Sequence, residues 1–250
     1  MERYILWGLG LMESQRCGKC PHMTDTTDVL SPLIKANLPI FGIVAGLYVV
    51  LFLYRRFRSG RKGSLERALV NKGAFRQLDP QLYRSFSDLY LPRPEGDGLT
   101  QVDHAVVSPF GIFVIETKNY TGFIHGAEDQ SQWTQTFGSG GKFAFPNPIW
   151  QNRLHLRALA QFLKLPESKF HSVIYFLGGS TFQTELPGNV IDNGLAGHIS
   201  GPQEVLLQPE EVVAANEALA ALVARTNKRV ARLELAAGIE KRRREKGGRI

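Results

Sequence analysis

Three residues near the middle of the chain are of the right kind to handle phosphate chemistry. Asp103 interrupts the apolar run Gln101-Val-Asp-His-Ala-Val-Val-Ser, and Glu116 and Lys118 stand two apart in Ile115-Glu-Thr-Lys-Asn. On a strand, residues i and i+2 point to the same face, so the Glu116 carboxylate and the Lys118 ammonium share one side. If Asp103 faces the same way from a neighbouring strand, two carboxylates and an ammonium converge. Such hard oxygen donors suit Mg²⁺ or Mn²⁺, with water and substrate phosphate completing the shell. The lysine would then orient or help deprotonate an attacking water and stabilise charge developing on phosphate. A Glu-x-Lys pair by itself is commonly an ordinary surface ion pair. What raises it here is Asp103 at a spacing suited to one hairpin.

The elements that would position these residues can be read from pattern. Strands are expected over 100–107 and 112–117, joined by the turn Ser108-Pro-Phe-Gly. A strand over 83–91 precedes them, and a helix over 64–78 precedes that. Short strands are expected at 122–125 and 133–137, a loop at 138–148, and a helix from Pro148 to about Leu163. A strand at 172–177 and a last helix over 209–236 complete the set. Helix, hairpin, helix, strand, helix reads as an α/β arrangement with a small mixed sheet. Alternation turns His104 away from Asp103 to the other sheet face, and Trp133 reads as a core residue.

The run Gln101-Val-Asp-His-Ala-Val-Val-Ser-Pro-Phe-Gly-Ile-Phe-Val-Ile-Glu-Thr-Lys-Asn-Tyr-Thr-Gly closely resembles the core of the NERD (nuclease-related) domain family. The likeness continues through Trp133 and Asn147-Pro-Ile-Trp-Gln-Asn-Arg to Leu159 and covers roughly residues 63–180. It implies the restriction-endonuclease-like, PD-(D/E)xK class: a mixed sheet flanked by helices, and hydrolysis of phosphodiester bonds with Mg²⁺ or Mn²⁺. By position it assigns catalytic roles to Asp103, Glu116 and Lys118, and metal-ligand roles to Asp103, Glu116 and Thr117. It also aligns Glu66 with an acidic residue in the family's first helix, although Leu65 stands where a second glycine is expected before it. Gln151 matches the polar residue opening the helix after Asn147-Pro-Ile, and His155 follows one turn later on the same face. The partner implied is nucleic acid, DNA ahead of RNA. The alternative is a module on the same fold that binds nucleic acid or protein without cutting.

Around this core, composition sets bounds. With 43% hydrophobic and 21% charged residues the chain is of folded rather than disordered type. The formal charge of +7 suggests an anionic partner. Much of it is local, in Arg55–Lys62 and Lys241–Arg249. Ala36–Tyr54 comprises nineteen residues without a formal charge, enough for a transmembrane helix. The basic cluster after it puts residues 55–62, a linker, and the domain at 63–238 on the cytoplasmic side of a bacterial-type inner membrane, as a single-pass protein. Residues 1–35 form an N-terminal segment in which Met23 offers another start. Cys17 and Cys20 make a lone Cys-x-x-Cys, read as incidental, with a metal or redox role as the alternative. Residues 239–250 read as a basic tail without regular structure.

Overall fold

The computed structural model describes residues 44, 46–49, 70, 73–138, 140–177, 179–185 and 187–247. The chain divides into two compact units, Met1–Arg58 and Ser59–Ile250. In the first, the described residues are helical, and Val44, Leu47, Tyr48 and Val49 are all exposed. The expected membrane span otherwise lies outside the described residues, among which no helix is long and apolar enough to cross a membrane. Cys17, Cys20 and Glu66 lie outside them as well.

The second unit is mixed α/β, with two sheets instead of the single one expected. The first runs β1 (Arg84–Pro92), β2 (Leu99–Ser108), β3 (Gly111–Lys118), β7 (Phe170–Phe176) and β9 (Val190–Ile191) in spatial order. β1, β2 and β3 are antiparallel neighbours, whereas β7 and β9 join in parallel. The second sheet is β6 (Lys142–Pro146), β5 (Gln132–Thr136), β4 (Gly122–His125) and β8 (Ser180–Phe182). The stretch 138–148, expected as a loop, contains β6: Phe143 and Phe145 are strand formers, and the β5 edge supplies their ladder.

Helix α1 (Pro148–Leu163) begins where expected. Proline occupies its first turn, where no N–H is needed, and the Asn147 side chain accepts from Ile149 N at 2.9 Å. The Asn147 amide also reaches the carbonyls of Ala127, Glu128 and Gln130, tying the helix start to the β4–β5 connection. The parallel step from β3 to β7 is made by a crossover that contains α1, which lays its apolar face, including Leu156 and Leu159, on the first sheet. Asn152 fixes the helix to that sheet, donating to Val114 O at 2.8 Å and Ser172 Oγ at 2.9 Å.

The remaining helices are the short α2 (Leu195–Ser200), then α3 (Pro209–Arg225) and α4 (Lys228–Gly247). The single helix expected over 209–236 is two, because the chain turns extended at Thr226. The basic tail is likewise corrected: α4 continues to Gly247. Lysine, arginine and glutamate are good helix formers, and Lys241 and Arg242 both reach back to Asp97 in the β1–β2 turn.

Candidate active site

The β2–β3 hairpin is a regular ladder from Ser108↔Gly111 as far as His104↔Ile115. Beyond that pair the inter-strand register ends, and the next residues are Asp103 and Glu116. The irregularity extends to β1. There Asp88, opposite Asp103 in register, takes a left-handed backbone with φ 60°. Residues packed on the α1 side switch parity across this point: Phe86 before it and Leu89 after it on β1, Ala105 and Val102 on β2. Both strands thus step by one residue together, and their pairing survives while a pair of aspartates stands at the step.

Asp103 takes over where the backbone ladder stops. Its Oδ2 accepts from Thr117 N at 3.1 Å and from Thr117 Oγ1 at 2.8 Å. A carboxylate receiving two donors from the next strand is held in a defined orientation.

Glu116 and Lys118 turn toward α1. Glu116 Oε1 accepts from Lys118 Nζ at 2.7 Å and from Gln151 Nε2 at 2.7 Å, while Lys118 Nζ also donates to Gln151 Oε1 at 2.9 Å. The amide of Gln151 therefore bridges the ion pair, using its donor on the anion and its acceptor on the cation. His155, one helical turn on, brings Nδ1 to 3.2 Å from Glu116 Oε2. That approach is electrostatic without hydrogen-bond alignment, and both buried atoms lack a hydrogen-bond partner among the described residues.

Burial by itself would push the Glu116 carboxyl up. Lys118 and His155 outweigh it and hold the group down at about 2. For Lys118 burial pulls the ammonium's pKa down, but Glu116 chiefly, with Tyr120 and Asp103, carries it above its ordinary value. The site at neutral pH is thus a carboxylate and an ammonium, with Asp103 near enough to act on the same cation.

Among the described residues no group of three His, Cys, Asp or Glu side chains stands ready as a metal cage. The donors present still suit a hard divalent cation. Glu116 Oε2 is a buried anionic oxygen without a hydrogen bond, Asp103 stands on the adjoining strand, and Mg²⁺ commonly takes one or two carboxylates with water and phosphate.

The geometry therefore brings Glu116, Lys118, Gln151 and His155 into one cluster, with Asp103 linked to it through Thr117. Thr117 presents its N–H and hydroxyl to Asp103. His104 lies on the opposite face, its ring 5.2 Å from Phe75 and its Nδ1 2.8 Å from Ser87 Oγ, and Trp133 is fully buried. Sequence reasoning passed over Asn152 and Asp88. The asparagine beside Gln151 was a readable signal, since a polar residue on the inward stripe of an amphipathic helix needs partners. Asp88 gave only a weak one, since aspartate tolerates a left-handed backbone better than most residues but nothing else around it marks the step.

Residues 62–177 match the family described as the nuclease-related domain, NERD. Over that span the chain is similar to a nuclease-related domain. A second comparison gives an uncharacterized protein of Bacillus anthracis, 40% identical over 98 residues. That segment is 39% of this chain and 45% of the relative, so the chain spans less than half of the relative's length. No solved structure matches. The matched span of the nuclease-related domain takes in the whole β2–β3 hairpin and α1, and so Asp103, Glu116, Lys118, Gln151 and His155.

Proposed function

We propose that the nuclease-related domain hydrolyses phosphodiester bonds of nucleic acid at the open end of the β2–β3 hairpin, as an enzyme of the PD-(D/E)xK class. The observation that carries this reading is the buried Glu116 carboxylate, held ionised by Lys118 and bridged by Gln151, with Asp103 fixed on the neighbouring strand. Asp103 and Glu116 would hold Mg²⁺ or Mn²⁺, together with the Thr117 main chain. The bound cation would polarise the phosphoryl oxygen and acidify a water. Lys118, whose pKa is raised, stays protonated and serves as a donor: it steadies negative charge on the phosphate and the attacking oxygen instead of taking a proton. Gln151 keeps Glu116 and Lys118 in register, and Thr117 keeps Asp103 aimed.

A tether belongs to the same proposal. The uncharged run 36–54 followed by Arg55, Arg56, Arg58, Arg61 and Lys62 supports an anchor with the domain on the cytoplasmic side of a bacterial inner membrane. The exposed apolar side chains at Val44, Leu47, Tyr48 and Val49 support it too. The full chain should pellet with membranes and need detergent for release; recovery in the aqueous fraction removes the tether.

The activity is tested by incubating the full chain with labelled single- and double-stranded DNA and RNA, in Mg²⁺, in Mn²⁺ and in chelator. Cleavage should require the cation and vanish in Lys118→Met. Binding without cleavage in every arm would favour the module that binds and does not cut.

A further inference from the structure

We infer that Phe143, with Tyr120 beside it, forms a stacking platform for an unpaired nucleobase next to the Lys118 site, so that the domain takes its substrate single-stranded. This rests on the reading that the site acts on nucleic acid and goes beyond it in naming the substrate class. Register places Phe143 opposite Gln135 and Phe145 opposite Trp133, all on one face of the second sheet. Trp133, Phe145 and Gln135 on that face are buried, yet Phe143 is 52% exposed. A large aromatic ring is thus presented to solvent on the side of the sheet that otherwise forms core.

Its neighbour is informative. The Tyr120 ring lies 4.5 Å from Phe145, 6.3 Å from Phe176 and 6.5 Å from Phe143, centroid to centroid. Tyr120 is anchored in the core at one edge and meets the open Phe143 ring at the other. It also follows Lys118 by two residues and is close enough to act on the ammonium. The order Lys118, Tyr120, Phe143 therefore leads from the proposed phosphate site to an open aromatic face.

An aromatic ring beside a cationic phosphate site is how proteins hold single strands, since every base has a π-face and the stacking is sequence-tolerant. In a duplex both faces of a base are already covered by its neighbours, so the ring can act only on an unpaired base or one taken out of the stack. The exposed Phe137, at the other side of the glycine-rich β5–β6 turn, extends the same aromatic character.

The test uses the full chain in Lys118→Met form, so that binding is read without cutting. The probes are a labelled single-stranded DNA, the matching RNA and the DNA duplex, each roughly 20 nucleotides long, which exceeds the site of one small domain. A fourth probe is the same DNA strand with abasic sites throughout its middle. Phe143→Ala should weaken binding of the two single strands by about 5- to 140-fold, the range for loss of one stacked base. Phe143→Trp should restore it, and duplex binding should hardly move. The abasic strand supplies a second readout without any change at Phe143: it should bind more weakly than the intact DNA strand. Equal binding of intact and abasic strands, or of Phe143→Ala and its parent, overturns the inference. Relative affinity for DNA and RNA decides which of the two supplies the base. The two readings fail separately. Base-dependent binding by a wild-type chain that cuts nothing removes hydrolysis and leaves the platform, whereas cutting of duplex and abasic strands as fast as intact single strands removes the platform alone.

Discussion

At its turn end the β2–β3 hairpin is a continuous ladder of apolar residues, with Val106, Val107, Ile112, Phe113 and Val114 almost wholly buried. At its open end the ladder stops at His104↔Ile115, and side chains take over: Asp103 on Thr117, Glu116 on Lys118 and Gln151. The two ends belong to the same pair of strands, yet one is held by hydrophobic burial and backbone pairing and the other by charge. Burying a polar group without a partner is costly. Both carboxylates stand where the β2–β3 ladder opens, beside the step at Asp88 and Asp103, while β3 stays paired with β7 through Lys118. Chemistry and stability are thereby separated along one hairpin, and substitutions at its two ends should separate them too.

The largest effect belongs to the turn end. Phe113, 1% exposed and stacked on His171 at 4.5 Å, should cost about 3–5 kcal/mol as Phe113→Ala. Thermal unfolding checks it; a loss of well under 1 kcal/mol would mean the turn end is not the structural half. Next comes the acid arm of the open end. The Glu116 carboxyl is held at about 2 in the folded chain against 4.5 ordinarily, so its ionised form stabilises the fold above pH 4.5. That contribution, on the order of 2–3 kcal/mol, is lost as pH falls from 4.5 toward 2. Glu116→Gln should remove this pH dependence, so the difference in stability between the variant and its parent should shrink across that window. A difference that stays constant with pH would show the charge is not coupled to folding.

Smaller still is Asp103→Asn, which keeps an acceptor for Thr117 but surrenders the charge. About 1 kcal/mol of stability is expected to go, with a far larger fraction of any activity. The smallest is Arg242→Ala, whose guanidinium reaches the exposed Asp97 carbonyl at 3.3 Å. It should change stability by less than about 1 kcal/mol and leave the hairpin untouched.

The same contrast explains what could be read in advance. The hairpin, α1 and the inward placing of Gln151 and His155 follow from local period and capping residues, namely alternation in 100–117 and Asn147-Pro148 at the helix start. The second sheet is only partly visible in the sequence, because its edges β6 and β8, like β9 at the edge of the first sheet, are short segments whose strand state depends on a neighbour's free backbone groups. The charge of residues 239–250 predicts a tail without regular structure, whereas α4 runs on to Gly247, since Lys241 and Arg242 find Asp97 only once the β1–β2 turn is folded beside them. In the site, Glu116 and Lys118 were legible from spacing. The Asp88 step was not, since the run around it reads as an ordinary alternating strand and an aspartate alone does not mark a left-handed residue.

The central claim is that Asp103 and Glu116 belong to one cation site that Lys118 serves from outside the ligand set. Mn²⁺ binding to the full chain, followed by electron paramagnetic resonance of the free ion, tests it most directly. Asp103→Ala and Glu116→Gln should each weaken binding by at least tenfold, about 1.4 kcal/mol, whereas Lys118→Met should leave it intact or tighten it while abolishing hydrolysis. Unchanged Mn²⁺ affinity in Asp103→Ala, or equal losses in all three variants, would contradict the account.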